Sequence, residues 1–314
     1  MSHGVSLSQP KRVAKAPERG QRPGLWHALW SRSGARAALF ILLLYGVAAF
    51  TAETVYWTHR MADRTPAYQM TRMESAYQPP LSPGHRLGTD GLGRDVLGRL
   101  MQGARIAFEV GILTSLIAIP LGVFLGCLAG YFGGRVDDGI VWLYTTVASI
   151  PGILLILAIA LGVGTGMGGV CLGIGLTTWV GLCRLIRAEV LKHRELPYVA
   201  AAKVLGFGSF RILFLHILPN LMHLVLITFS LRFPAAIGTE VFLSFLGVGV
   251  QGEPSWGVMI SSARLRLWQG AWWEMTFVSL AIFLIVLAFH ILGDALRDEL
   301  DPRLAGRVGR GGPL

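Results

Sequence analysis

The chain has 314 residues, of which 53% are hydrophobic and only 15% are charged, and its mean hydropathy is +0.56. Soluble domains carry about 25% charged residues, so this composition argues against a soluble globular protein and favours a polytopic membrane protein. The net charge of +10 lies mainly at the N-terminus and in the loops. That distribution indicates membrane orientation rather than nucleic-acid binding.

The N-terminal segment, residues 1–36, begins with a polar, basic stretch rich in Pro and Gly. We expect this segment to be disordered and cytoplasmic. It does not resemble a signal peptide, because the first apolar run begins only near Ala37 and is too long for the hydrophobic region of one.

Six apolar runs are each about 20 residues or longer, which is the length that a hydrocarbon layer of ~30 Å requires. The sequence therefore predicts an all-α polytopic membrane protein with six transmembrane helices. The predicted spans are Ala37–Trp57, Ile106–Tyr131, Gly139–Leu161, Gly168–Ile186, Leu221–Leu246 and Met275–Leu296. Proline predicts kinks in the second, third and fifth spans, at Pro120, Pro151 and Pro234.

The distribution of Lys and Arg favours an arrangement with both termini in the cytoplasm. The first span, residues 37–57, then leads into a long extracytoplasmic segment, residues 58–105. Near the end of that segment, Asp95 suits the N-cap of a helix that begins at Val96 and continues into the second span. Residues 106–296 form the transmembrane core, and residues 297–314 form a cytoplasmic tail. All four lysines lie on the inner side in this arrangement, at Lys11, Lys15, Lys192 and Lys203.

Small residues recur every four positions in the second span, at Ala118, Gly122, Gly126 and Gly130. On a helix these positions form one stripe, which lets a neighbouring membrane helix approach closely. We expect the stripe to be a packing surface. The three cysteines lie in apolar stretches without a paired spacing, which is typical of small buried side chains.

The sequence contains no phosphate-binding loop of the P-loop kind. That motif needs a lysine followed by Ser or Thr, and the four lysines are followed by Arg, Ala, His and Val. The glycine-rich stretch Gly162–Gly169 follows a membrane span and predicts a tight turn. Neither a metal-ligand spacing nor an acid–base constellation indicates an enzyme. We therefore expect no cofactor on this chain, and any ATP and Mg²⁺ that its work requires would be used by separate subunits.

Glu240 is a carboxylate within a predicted span. Such groups face the protein interior or a water-filled path, because exposure to lipid is costly. Two interpretations stay open. Glu240 and Ser244 contact a translocation pathway, or Glu240 ties two helices together by a hydrogen bond, and the second interpretation is favoured.

The stretch Tyr198–Asn220 interrupts the apolar sequence between the fourth and fifth spans. Pro197 suits the first turn of a helix, and Gly206 and Gly208 end that helix after about two turns. A helix so short is not stable alone and needs a partner to pack against. The small residues Ala200–Ala202 permit close approach, so we interpret this segment as a docking element for another protein.

The pattern AAxxxG at Ala201–Gly206, followed by HILPN at His216–Asn220, resembles the EAA loop of binding-protein-dependent ABC importer permeases. Four further stretches resemble the second permease subunit of dipeptide, oligopeptide and nickel importers. They are HRLGTDGLGRDVLGRLMQGAR (His85–Arg105), SIPGILL (Ser149–Leu155), LSFLGVGVQGEPSWGVMI (Leu243–Ile260) and LGDALRDELDPR (Leu292–Arg303). All of these matches occur in the order and spacing of the family.

The resemblance implies the transmembrane domain of a type I ABC importer in the bacterial inner membrane. Its implied partners are a homologous second permease subunit, two cytoplasmic ABC ATPases and an extracytoplasmic solute-binding protein. The coupling loop would span residues 187–218. The glutamate that names the loop falls at Ala200, so we expect coupling to depend more on packing and on Lys203 than on an ion pair of that glutamate.

Residue by residue, the resemblance implies contact with the ATPases at Pro197, Tyr198, Ala200, Ala201, Ala202, Lys203, Gly206, Phe207 and Gly208. It implies an extracytoplasmic gate or a contact with the binding protein at Asp90, Arg94, Asp95 and Trp256. Peptides are the expected substrate, with nickel complexes or another small solute as the alternative. A non-transporting membrane scaffold or a channel would be a different class of protein, and neither explains a docking segment for an ATPase.

Overall fold

The computed structural model describes residues 30–250 and 252–300, and within them the protein is a bundle of α-helices without strands. The parts of the predicted terminal segments at residues 1–29 and 301–314 lie outside the described residues. The helices are α1 (Ser33–Met61), α2 (Val96–Phe132), α3 (Gly134–Ser149), α4 (Gly152–Val163), α5 (Met167–Arg194), α6 (Pro197–Val204), α7 (Ser209–Phe245), α8 (Trp256–Arg264) and α9 (Trp273–Leu300).

Five of these helices, α1, α2, α5, α7 and α9, are long and apolar enough to cross a membrane. Helices α3 and α4 form a sixth candidate span that is bent by 91°. The bend falls at Ile150 and Pro151, where proline removes a backbone donor and disfavours helix in the residue before it. The kink predicted at Pro151 is thereby confirmed, whereas Pro120 and Pro234 lie inside uninterrupted helices.

Two of the helices extend well beyond the apolar runs that predicted them. Helix α2 begins at Val96, ten residues before the predicted span, and its predicted cap is confirmed, because the Asp95 carboxylate accepts a hydrogen bond from the Gly98 backbone N–H at 2.8 Å. Helix α7 begins at Ser209 rather than Leu221. The helices therefore continue past the hydrocarbon layer, which hydropathy alone does not reveal.

The centre of the bundle is the contact between α2 and α5. A Cβ atom built on Gly122, Gly126 or Gly130 would lie between 2.7 and 2.9 Å from a backbone carbonyl oxygen of α5. Real Cβ atoms do not approach so closely, so only glycine allows the two backbones to meet at these positions. The predicted packing stripe is confirmed, and Ala118 continues it at 2% exposure.

The two ends of the bundle are built differently. At one end, which we call the α8 end, α8 and the segment before α2 are folded onto α2, α7 and α9 around the buried Trp256. At the opposite end, which we call the α6 end, α6 and the start of α7 pack against the C-terminal parts of α2 and α5. Helix α1 runs along the outside, where the Tyr45 hydroxyl donates to the Ala281 carbonyl of α9 at 2.9 Å.

Candidate coupling and transport sites

Helix α6 is held at both of its ends by backbone conformation. Pro197 occupies the first turn, where its missing N–H leaves no hydrogen bond unmade. After the helix, Gly206 adopts φ +79°, in the left-handed region that residues with a Cβ rarely enter. Gly208 has an extended conformation with φ −66°, which any residue can adopt. The chain reversal thus depends on glycine at Gly206 and not at Gly208.

The two faces of α6 have different surroundings. Val199 and Ala202 are buried against an apolar cluster formed by α5 and the start of α7. Ala200, Ala201 and Lys203 lie on the exposed part of the helix. Val204 and Leu205 follow at 88% and 73% exposure. A short helix with an apolar surface left open is the arrangement that a docking element requires.

Side-chain contacts join α6 to its neighbours. The His193 imidazole of α5 shares a hydrogen bond of 2.8 Å with the Tyr198 hydroxyl. On the other side, the Phe207 ring stacks on the His216 ring with centroids 5.4 Å apart. The Arg211 guanidinium lies 4.7 Å from the centroid of the same Phe207 ring. The segment that contains α6 and Phe207 is therefore in side-chain contact with both α5 and α7.

The first part of α7 contains a feature that sequence reasoning missed, a π-helical turn at Ile212–Ile217. Such wide turns are rare and often accompany functional sites. Pro219 follows within the next turn and cannot donate the backbone hydrogen bond that a regular α-helix needs there. The HILPN sequence was a signal for this turn, since it places that proline inside a continuous helix.

At the α8 end, Asp90 organises the segment before α2. Its carboxylate is buried and accepts hydrogen bonds from the backbone N–H groups of Leu92 and Arg94, both at 2.9 Å, and from Arg94 Nε at 2.7 Å. Burial alone would raise the pKa of Asp90, but these hydrogen bonds and the nearby positive charges of Arg99 and Arg94 outweigh it. The pKa of Asp90 is lowered as a result, and the carboxylate stays ionised.

The four residues assigned to the outer gate or the binding protein occupy two kinds of position. Arg94 and Asp95 are partly exposed. Asp90 and Trp256 are each 1% exposed, and the Trp256 indole donates to the Leu100 carbonyl at 3.1 Å. Asp90 and Trp256 are thus structural residues inside this end of the bundle. Contact with another protein stays a prediction, and Arg94 and Asp95 are exposed enough to make such a contact directly.

Glu240 and Ser244 lie together in a closed network. The Ser244 hydroxyl donates to Glu240 Oε1 at 2.6 Å and accepts from the Val250 backbone N–H at 3.1 Å. The Ser255 side chain also bonds to Glu240, which is 1% exposed. The pair connects α7 to the segment that leads into α8, and this geometry favours the helix-tying interpretation over contact with a solute.

A polar recess of about 60 Å³ lies between α2, α5 and α7. Its polar lining consists of Thr114, Ser115, Thr178, Arg232 and Thr239. None of these residues was assigned a role from the sequence. Arg232 was the available signal, because a cation inside an apolar span is rare and marks a functional position by default.

Comparisons with known proteins place the chain in a family. Residues 119–306 match the family described as binding-protein-dependent transport system inner membrane component. The chain is 36% identical to a dipeptide transport system permease protein of Bacillus subtilis, over 92% of this chain and 88% of that protein. It is 34% identical to a di/tripeptide transport system permease protein of Pseudomonas aeruginosa, over 96% and 97%.

A third relative is a glutathione transport system permease protein of Pectobacterium atrosepticum, 36% identical over 89% of this chain and 91% of that protein. The chain is a multi-pass membrane protein, and it belongs to the family of binding-protein-dependent transport system inner membrane components.

Proposed function

We propose that this chain is one of two permease subunits in an ATP-driven importer of di- and oligopeptides. The observation that carries the proposal is the open apolar surface of α6, fixed to α5 and α7 and presented at one end of a membrane bundle. The relatives named for dipeptide, di/tripeptide and glutathione transport support peptides as the substrate class.

In the proposed mechanism a cytoplasmic ATPase subunit covers the exposed side of α6. Closure of the two ATPases on ATP moves α6, and the contacts of Tyr198 and Phe207 carry that motion into α5 and α7. The path between the two permeases then opens toward the binding protein outside, and hydrolysis of ATP resets it. This chain binds no nucleotide in the proposal, and ATP with Mg²⁺ is used by the ATPases.

The same proposal sets the location and orientation of the chain. It lies in the bacterial inner membrane with the α6 end and both termini in the cytoplasm. The α8 end then faces the extracytoplasmic binding protein. The basic residues near α6, including Lys192 and Lys203, support this orientation, because cytoplasmic loops are enriched in Lys and Arg.

The test is transport by a reconstituted assembly of this chain, the second permease, two ATPases and the binding protein. We expect uptake of dialanine, trialanine or glutathione into liposomes only when ATP is supplied on the ATPase side. Nickel complexes serve as the comparison substrate. Uptake that continues without ATP would indicate a channel. Failure of the ATPases to bind, together with an absence of uptake, would indicate a scaffold.

A further inference from the structure

Arg232 is a cation within the apolar part of the bundle. It lies in the middle of α7, and its Nη2 donates to the Thr178 carbonyl oxygen of α5. Among the described residues, no carboxylate forms an ion pair with this guanidinium. A charge without a counter-ion inside a span is costly, so its presence calls for a ligand or a water-filled path.

The recess beside Arg232 has room for such a ligand. Its volume of about 60 Å³ can hold a carboxylate group together with water, and one side of it is open. Ala118, Ile174, Ala235 and Ala236 supply the apolar part of its lining. A ligand in the recess would therefore meet a single charge on an otherwise apolar and hydroxyl-bearing wall.

The Arg232 guanidinium is the main free hydrogen-bond donor in the recess, because the hydroxyl groups there already donate elsewhere. The hydroxyls of Thr114, Ser115, Thr178 and Thr239 each donate to a carbonyl oxygen of their own helix, at 2.6–2.8 Å. Arg232 has five N–H donors and uses one on the Thr178 carbonyl. The remaining donors match the geometry of a carboxylate, which a guanidinium can hold with two parallel hydrogen bonds.

We propose that Arg232 binds a carboxylate of the transported peptide as the peptide passes through the bundle. The inference rests on the proposed function, because peptides carry a C-terminal carboxylate at neutral pH. The guanidinium replaces part of the water that the carboxylate loses inside the membrane. Arg232 is thus a specificity-determining residue that favours solutes with a carboxylate over solutes of the same size without one.

The first experiment compares Arg232→Gln and Arg232→Lys in the reconstituted importer. The probe is the peptide that the wild-type importer takes up among dialanine, trialanine and glutathione. We expect Arg232→Gln to lower uptake at least tenfold, while assembly and the ATP hydrolysis stimulated by the binding protein stay within twofold of wild type. Arg232→Lys keeps the charge and should retain uptake to within about threefold.

Three results would overturn the inference. Uptake by Arg232→Gln equal to wild type would show that the charge is not needed. Dissociation of the two permeases in Arg232→Gln would show that Arg232 pairs with an acid of the second permease. Equal losses in the Gln and Lys variants would indicate a tie between α7 and α5 that needs the arginine shape. A wild-type assembly without ATP-dependent uptake would instead contradict the proposed function.

The second experiment restores the charge chemically in Arg232→Cys. Aminoethyl methanethiosulfonate converts the thiol to a mixed disulfide that carries an amine, whereas the sulfonatoethyl reagent adds an anion. We expect the cationic reagent to raise uptake at least fivefold and the anionic reagent to raise it not at all. The three native cysteines are buried, so the wild-type protein should be insensitive to both reagents.

The matched control is Leu280→Cys, at an exposed position on α9 away from the recess. Its uptake should not change with either reagent. Rescue of Arg232→Cys by the anionic reagent, or failure of both reagents to label that cysteine in the working importer, would overturn the inference. The first outcome would exclude a role for positive charge, and the second would show that the recess is sealed from water.

Discussion

At the residue scale, two glycines of the coupling segment differ in what they contribute. A Cβ added to Gly206 or to Gly208 would meet nothing within 4 Å, so neither position is kept small by crowding. Only Gly206 adopts a left-handed conformation, with φ +79°. The sequence predicted both as breaks after α6, but it could not separate a glycine required by its dihedral angles from one that is not.

We expect Gly206→Ala to weaken the coupling of ATP hydrolysis to uptake, because alanine in the left-handed region costs about 1–2 kcal/mol and shifts α6 relative to α7. Gly208→Ala is the matched control and should leave coupling unchanged. Uptake per ATP hydrolysed in liposomes measures both. Equal behaviour of the two variants would contradict a specific role for the Gly206 conformation.

At the element scale, the apolar runs of the sequence predict which helices form, but they do not predict how long those helices are. The predicted bounds of the second and fifth spans omit the first turns of α2 and α7, which cross into polar surroundings. The Asp95 cap and the start of α2 at Val96 were predicted from the residue type, and the structure confirms them. The π-helical turn at Ile212–Ile217 was missed, although the proline of HILPN, which lies inside the continuous helix just after it, was a signal for an irregular turn there.

The contact between α2 and α5 gives a prediction at this scale. A Cβ on Gly126 would lie 2.7 Å from the Cys183 carbonyl oxygen, so Gly126→Ala forces the two helices apart. Overpacking of this kind costs roughly 1–3 kcal/mol. Thermal unfolding of the purified protein should therefore show a Tm lower by several degrees.

Gly46→Ala in α1 is the control for that substitution. A Cβ there meets nothing within 4 Å, and alanine is the better helix former, so the Tm should stay level or rise slightly. An unchanged Tm for Gly126→Ala would mean that α2 and α5 can move apart at little cost and that their contact is not rigid.

At the scale of the whole molecule, the bundle joins the exposed helix α6, which is the proposed docking surface, at one end to a folded cap at its α8 end. The resemblance in the sequence predicted both regions and their order along the chain. It did not predict that Asp90 and Trp256 are buried, because burial depends on how the segment before α2 folds back onto α9. The Trp273 indole, for example, donates to the Thr89 carbonyl at 3.0 Å.

The attachment of that segment should depend on pH through Asp90. The pKa of Asp90 is lowered in the folded state, so its contribution is present above the unfolded pKa of about 3.9 and is lost as the pH falls through the folded value. Hydrogen–deuterium exchange of residues 72–95, corrected for intrinsic rates, should show protection that is steady at neutral pH and falls below about pH 4.

Asp90→Asn should lower that protection at neutral pH and remove the part of its pH dependence that comes from the Asp90 carboxylate. Asp63→Asn, at an exposed position of the same segment between α1 and α2, is the control and should behave as wild type. Wild-type protection in Asp90→Asn would mean that the backbone hydrogen bonds of the turn do not need an ionised acceptor.

The bent span formed by α3 and α4 has a consequence for the assembly of the proposed importer. No residue of α3 is buried within the described chain, and its exposed side chains include Thr145, Thr146 and Ser149. The Thr146 and Ser149 hydroxyls donate to carbonyl oxygens of α3 itself, so this helix exposes a face of small hydroxyl-bearing side chains that a neighbouring membrane helix can approach closely. In the proposed importer the second permease would cover that face, and membrane proteases would find unpaired copies the easier target. Balanced synthesis of the two permeases would then be a structural requirement of the proposed importer as well as a matter of stoichiometry.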